Sequence, residues 1–274
     1  MLNVLVEAAL EAGEAILQVY ADEDFGARAK LDGSPVTEAD ARAEAIILDR
    51  LKAAFPDIPV VAEEAAAAGD VPATAERFFL VDPLDGTREF LNRNGDFTVN
   101  IALVEDGRPT VGVVYAPAHG ELYAGAEGEG ARFARVDGGK PGEWRAVSVR
   151  ETPEALDVVA SRSHLSEETK AFIDRFPVAE MVSAGSSLKF CKVACGAADL
   201  YPRLGRTMEW DTAAGDAVLR AAGGSVRTLD GRPLTYGKRG QADDADFANP
   251  WFVASGPFDP FAAGSAGEQL ELRP

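Results

Sequence analysis

The chain has 274 residues, 46% hydrophobic and 26% charged, with 14 Phe and 3 Trp, so it can bury a sizeable core and disorder is excluded. Lys and Arg total 27 against 45 Asp and Glu, a net charge of −18 that argues against nucleic-acid binding, which needs a basic face. The same charge would repel an anionic substrate unless cations reverse the field locally.

Two amphipathic helices are expected first, over residues 1–20 and 36–55. The first carries Glu7, Glu11 and Glu14 and no basic leader, so it reads as a helix and not as a signal peptide. The second opens with the capping-box pattern Thr37-Glu38-Ala39-Asp40 and stops before Pro56. No run reaches the ~18 apolar residues of a membrane span, and the cytoplasm is the expected compartment. Residues 58–62 form an apolar run ending in Glu63-Glu64, and residues 78–81 form another ending at Asp82. A buried strand that ends in a carboxylate places it at a sheet edge, where sites tend to form.

Residues 98–104, 110–115 and 121–124 then read as neighbouring antiparallel strands. Gly, Asp and Pro thicken over 128–142 and suggest a connection between an N-terminal half, 1–140, and a C-terminal half, 141–274. The second half alternates: strand 157–161, helix 166–175, strand 178–183, helix 186–196, strand 199–204, helix 211–222, then strands 225–228 and 251–255. Cys191 and Cys195, the only cysteines, stack on one helical face as small core residues and exclude a disulfide scaffold. His119 and His164 are too few for a histidine-rich zinc site. The fold class expected is a layered α+β architecture.

The sharpest local feature is Asp82-Pro83-Leu84-Asp85-Gly86-Thr87. Turn chemistry accounts for Asp85 and Gly86, and less well for an acidic residue ending a buried run. Two carboxylates across a Pro-fixed turn, with the Leu84 carbonyl, can hold one hard cation. Glu63 is a second carboxylate source. Asp211, in Trp210-Asp211-Thr212-Ala213-Ala214-Gly215, is a third, and reads equally as the N-cap of an alanine-rich helix. Oxygen donors without His or Cys select Mg²⁺ or Mn²⁺ over zinc.

These three segments, in this order, resemble the lithium-sensitive, magnesium-dependent phosphatases of the inositol monophosphatase superfamily, from about Lys30 to about Ser255. The resemblance implies an α-β-α-β-α sandwich. It implies one Mg²⁺ held by Glu63, Asp82 and the Leu84 carbonyl, and a second held by Asp82, Asp85 and Asp211. Thr87 and Asp40 would orient and deprotonate the attacking water, with Glu63 beside them. Two or three Mg²⁺ are expected, with Mn²⁺ as a substitute and Li⁺ as an inhibitor; the cations would also reverse the local sign of an acidic chain.

Three further strings bear on the substrate: Ser161-Arg162-Ser163-His164, Gly185-Ser186-Ser187-Leu188-Lys189 and Tyr201-Pro202-Arg203. At a helix start, backbone N–H groups, the Ser186 hydroxyl and Lys189 could share an anion. The plainer readings are an N-cap for Ser186, a solvated face for Lys189 and a surface residue for Arg203. The strings, with the 30–37 loop and Asn92-Arg93-Asn94-Gly95-Asp96-Phe97-Thr98-Val99-Asn100, closely resemble the bacterial 3'(2'),5'-bisphosphate nucleotidases of that superfamily. That branch implies removal of the 3'-phosphate from adenosine 3',5'-bisphosphate, a by-product of sulfate assimilation, to give AMP. His164, Ser186, Lys189 and Arg203 would contact the nucleotide, with Gly86, Thr87 and Asp211 at the reacting end. An inositol monophosphatase is the alternative, but there a glutamate matches Arg203; arginine cannot accept from a polyol and donates to phosphate instead. Fructose-1,6-bisphosphatase is a lesser alternative. An inactive phosphate-binding module is disfavoured, because Asp40, Glu63, Asp82, Asp85, Thr87 and Asp211 are all present. A homodimer and peripheral contact with the inner membrane are left open. No Gly-x-Ser-x-Gly elbow, P-loop or dinucleotide fingerprint occurs.

Overall fold

The computed structural model describes residues 1–22, 26, 28–29, 35–160 and 166–262. Helices α1 (Leu2–Ala21) and α2 (Glu38–Ala54) pack on each other. Between them, the two-residue strands β1 (Arg28–Ala29) and β2 (Pro35–Val36) pair antiparallel. Leu5, Ala9, Ala12, Ile16 and Val19 line the buried face of α1 at helical spacing.

The next strands build one large sheet. They are β3 (Val60–Ala62), β4 (Arg77–Asp85), β5 (Thr98–Glu105), β6 (Arg108–Ala116), β7 (Glu121–Ala126), β8 (Gly130–Asp137), and, after the short β9 (Lys140–Pro141) on β8, β10 (Arg145–Val147). Their order is β10-β8-β7-β6-β5-β4-β3. Only β3 and β4 run parallel. Five-residue helices α3 (Glu63–Ala67) and α4 (Thr87–Leu91) interrupt the strand sequence on either side of β4.

The second sheet holds β11 (Leu156–Ala160), β12 (Val178–Ser183), β13 (Leu200–Arg203), β14 (Ser225–Thr228) and β15 (Phe252–Ser255), in the order β12-β11-β13-β15-β14. Helices α5 (Glu167–Ile173), α6 (Leu188–Ala194) and α7 (Glu209–Ala221) connect them.

Alternate side chains of the large sheet divide between two cores, as the two-residue strand period requires. Phe79, Val81, Val99, Ile101 and Leu103 pack with α1 and α2. Phe78, Leu80, Ala102, Val104 and Val114 pack with α6 and α7, whose other side meets Tyr201, Phe252 and Ala254 of the second sheet. A third cluster puts Phe172 and Ile173 of α5 on that sheet's far face. The layers are therefore α-β-α-β-α, the α+β class expected from the sequence. Among the described residues no helix is long and apolar enough to cross a membrane.

Helix α7 lies close on the sheet because Gly112 and Gly125 carry no side chain beneath it. A Cβ at Gly112 would come within 2.5 Å of the Ala214 carbonyl, and one at Gly125 within 2.9 Å of Val218 Cα.

Several boundaries differ from the sequence reading. The Gly-rich segment 128–142 is not a plain connection: it holds β8 and β9, with Gly128, Gly138 and Gly139 at positive φ in the turns and Gly130 at positive φ where β8 begins. Half-exposed, β8 lacks the apolar run that marked its neighbours. Helix α6 starts at Leu188, two residues late, because Ser186 adopts φ 49°, a left-handed conformation no helix accommodates. Both cysteines are free, with Cys191 buried on α6 and Cys195 capping its end.

Candidate active site

Strand β4 is interrupted where the chemistry begins. Its register against β5 shifts between Asp82 and Asp85, and Pro83, which has no N–H to give the ladder, sits in that irregularity. Asp82 is 1% exposed, and its Oδ1 accepts from the Leu84 amide at 3.0 Å. The carboxylate is not at a sheet edge as expected. It lies at the end of an interior strand flanked by β3 and β5, which accounts for its burial. Gly86 follows at φ 91° and caps α4, turning Thr87 back so that its hydroxyl lies 3.4 Å from both the Leu84 carbonyl and Asp40 Oδ1.

Asp40 arrives on the first turn of α2. Its Oδ2 accepts from the Thr37 amide and hydroxyl, each at 2.7 Å, the return half of the expected capping box. Glu63 is the first residue of α3. Asp211 is the third residue of α7, not its N-cap: Met208 holds that position without a side-chain acceptor, and Asp211 Oδ2 takes the Met208 amide at 2.8 Å.

These carboxylates share one region of low dielectric. Burial raises Asp82 well above the ordinary carboxylate range, and Glu63, Asp85 and Asp211 push it further up. Burial also raises Asp211, with Asp85 and Glu63 adding to it and the Met208 amide and Arg203 opposing. Asp40 is raised by burial, against its bonds to Thr37. Among the described residues no three acidic side chains are already closed into a coordination sphere. Asp85 Oδ2 instead faces the hydroxyls of Ser186 at 2.5 Å and Ser187 at 3.2 Å. The donor set still fits a hard divalent cation. All its atoms are oxygens, and the charges that act most on buried Asp82, those of Glu63, Asp85 and Asp211, are negative, so its ionised form needs a cation beside it.

A cavity of about 120 Å³ opens beside the cluster, lined by Asp85, Ser186, Lys189, Tyr201, Arg203 and Asp211 among others. Lys189 is 6% exposed; its Nζ donates to the Ser186 carbonyl at 2.6 Å and lies 5.5 Å from the Tyr201 ring centre. Burial lowers its pKa to about 8, opposed by Asp85 and assisted by Arg203. Arg203 gives Nη2 to the Arg206 carbonyl at 3.3 Å, and its buried Nε has no partner among the described residues. Gly86 borders the same cavity. Ser186, expected to offer its hydroxyl to an anion, directs it to Asp85 and lies 2.5 Å from Thr98 Oγ1. His164 and the rest of residues 161–165 lie outside the described residues.

Sequence reasoning assigned no role to four supporting side chains. Thr98 and Asn100, buried on β5, contact Ser186 and Ser187, the two residues that face Asp85. Asp96 accepts the Gly185 amide at 3.0 Å and lies 2.9 Å from His119 Nε2. Glu44 accepts two amides of α3. Polar residues within an apolar strand, and an acid one turn after Asp40, were the available signals.

A sequence profile described as the inositol monophosphatase family matches residues 1–252. The chain belongs to that family. Among curated proteins, the 3'(2'),5'-bisphosphate nucleotidase CysQ of Shigella flexneri is 45% identical over 256 residues, covering 93% of this chain and 99% of that one. CysQ of Bacteroides thetaiotaomicron, a solved member of the inositol monophosphatase family, superposes with a TM-score of 0.77 at 39% identity, covering 93% of this chain and 96% of that one. An inositol monophosphatase from Anabaena superposes at 0.71 with 28% identity, over 93% and 90% of the two chains. Within the inositol monophosphatase family, then, this chain is similar both to nucleotidases and, at lower identity, to an inositol phosphatase.

Proposed function

We propose that the chain is a Mg²⁺-dependent phosphomonoesterase that removes the 3'-phosphate of adenosine 3',5'-bisphosphate, giving AMP and phosphate. The observation that carries this reading is the cavity where buried Lys189 and Arg203, whose Nε has no partner among the described residues, stand beside acidic Asp85 and Asp211. A cationic subsite next to a cation-binding carboxylate cluster suits a substrate with two phosphates. The name carried by the relatives at 45% and 39% identity supports the same reading.

In this proposal Glu63, Asp82, the Leu84 carbonyl, Asp85 and Asp211 hold two or three Mg²⁺, replaceable by Mn²⁺ and displaced by Li⁺. When bound, Mg²⁺ lowers the pKa of the attacking water and offsets phosphate charge. The chain's own part begins with the Thr87 hydroxyl, which takes the water's proton as it passes its own to Asp40 Oδ1, 3.4 Å away. As the water oxygen joins phosphorus the bond to the ribose 3'-oxygen breaks, and that oxygen takes a proton from solvent to leave as the 3'-hydroxyl of AMP. Burial raises Asp40 toward neutrality, which improves a carboxylate as a base near pH 7. Glu63, whose charge acts on both Asp40 and Asp82, is the further carboxylate of the catalytic group. Gly86, Thr87 and Asp211 border the reacting phosphate. Lys189 and Arg203 bind the 5'-phosphate, with Ser186 ordering the loop between them and Asp85; His164 completes the nucleotide contacts.

The test is phosphate release with Mg²⁺ from adenosine 3',5'-bisphosphate, inositol 1-phosphate and fructose 1,6-bisphosphate side by side. The bisphosphorylated nucleotide should give the highest kcat/KM. Preference for inositol 1-phosphate would refute the proposal.

A further inference from the structure

Helix α2 carries two carboxylates one turn apart. Asp40 meets Thr87, while Glu44, 7% exposed, is turned toward the start of α3. Glu44 Oε2 accepts the Glu64 amide and Oε1 the Ala65 amide, both at 2.9 Å. Those are the second and third residues of a helix whose first residue is Glu63. Its N-cap, Ala62, is 1% exposed in the core and has no side chain that could serve the amides. Ser or Asp at position 62 would do that locally. Here the service comes instead from a buried carboxylate 20 residues earlier, beside an acidic cluster where another negative charge is costly. The bidentate contact fixes the first turn of α3 relative to α2, and with it the direction in which Glu63 leaves the backbone.

We propose that Glu44 is a positioning residue for the divalent-cation site: by clamping the first turn of α3 it holds Glu63 toward Asp82. The base Asp40 and the ligand Glu63 then share one rigid support, α2. This rests on the reading of Glu63 as a metal ligand. Groups that orient ligating carboxylates typically change metal affinity or activity by about 10–100-fold when removed.

The experiment titrates Mg²⁺ into the metal-free full-length protein by calorimetry and measures phosphate release against Mg²⁺ concentration. It compares wild type, Glu44→Gln, Glu44→Ala and Glu63→Gln. In Glu44→Gln the carboxamide keeps one acceptor and turns an N–H₂ toward the other amide, so one of the two bonds is lost with the shape retained. The Mg²⁺ dissociation constant should rise about 10–100-fold, with kcat returning to the wild-type value once Mg²⁺ saturates. If Glu63→Gln weakens Mg²⁺ binding and Glu44→Gln does not, the role of Glu44 is overturned. A loss of kcat that Mg²⁺ does not rescue overturns it as well. If Glu63→Gln leaves Mg²⁺ affinity unchanged, the ligand reading beneath it fails. Should Glu44→Ala not fold by circular dichroism, Glu44→Gln decides alone.

Discussion

Replacing Arg203 with alanine should cost efficiency on adenosine 3',5'-bisphosphate and leave 3'-AMP nearly untouched. The side chain does little for the fold. Among the described residues its one hydrogen bond is the 3.3 Å contact to the Arg206 carbonyl, so the stability cost should stay near 1 kcal/mol or below. Its Nε is a buried donor without a partner among the described residues, which a phosphate oxygen brought to it would satisfy. One charge-assisted bond contributes about 1.5–3 kcal/mol, or roughly ten- to a hundredfold in kcat/KM. Binding energy realised on the remote 5'-phosphate orients the 3'-phosphate, so kcat should fall along with affinity. There is a compensation to control for. After burial, Arg203 is the group that depresses Lys189, so its removal lets Lys189 keep its proton to higher pH. Assays at pH 7, below the Lys189 value of about 8, keep that lysine mostly charged in both proteins. The measurement is the ratio of kcat/KM on the bisphosphate to that on 3'-AMP. Equal losses on both substrates would refute the 5'-phosphate assignment and return Arg203 to the fold or the metal site. Arg203→Glu should be worse on the bisphosphate and should raise turnover of inositol 1-phosphate, since a carboxylate accepts from a polyol.

Asp82→Asn should nearly abolish phosphate release while the metal-free melting temperature holds or rises. The folded protein raises the Asp82 pKa, so the stability this carboxyl contributes is present below its unfolded value of 3.8 and is lost as pH climbs through the folded value; above 3.8 the metal-free wild type bears a penalty that a neutral Asn escapes. Wild-type release by this variant at saturating Mg²⁺ would remove Asp82 from the ligand set. Thr87→Ala and Asp40→Asn should lower kcat by about 10²–10⁴-fold with little change in KM, and a raised KM with normal kcat would contradict their role on the water. As pH rises through about 8, Lys189 loses its proton, so KM for the bisphosphate should climb in wild type while KM for 3'-AMP stays flat. A bisphosphate pH profile unchanged in Lys189→Ala would sink that assignment.

The sequence was most legible where chemistry and chain are contiguous. Asp82 to Thr87 supply two carboxylates, a carbonyl and a hydroxyl within six positions, and a Pro and a Gly mark the turn that presents them. The long strands β4 and β5 were legible as apolar runs because helices cover both faces of their sheet. That same coverage hides which side chain points where. The half-exposed β8 offered no such run, and five residues of α3 or α4 are too few to display a helical period. Supporting contacts escaped because they join distant positions: Ser186 reaches Asp85 across 101 residues and Glu44 reaches Glu64 across 20. The position of Asp211 was misjudged by three residues because Met208, an unlikely cap by type, stands where Asp was expected.

The two glycines beneath α7 tie the geometry of the reacting centre to the thickness of a layer. Asp82 is fixed to the sheet and Asp211 to the helix, so the gap between the two carboxylates is gauged by how closely the helix is seated. Gly125 faces Val218, about 10 Å along the axis from Asp211 at 1.5 Å per residue. A single methyl inserted there would work as a wedge under the far end of a stiff rod, tipping its near end. On the proposed ligand set, spacing between cations, and thereby which ion is preferred, would thus be retuned from the hydrophobic interior with Asp82 and Asp211 left in place.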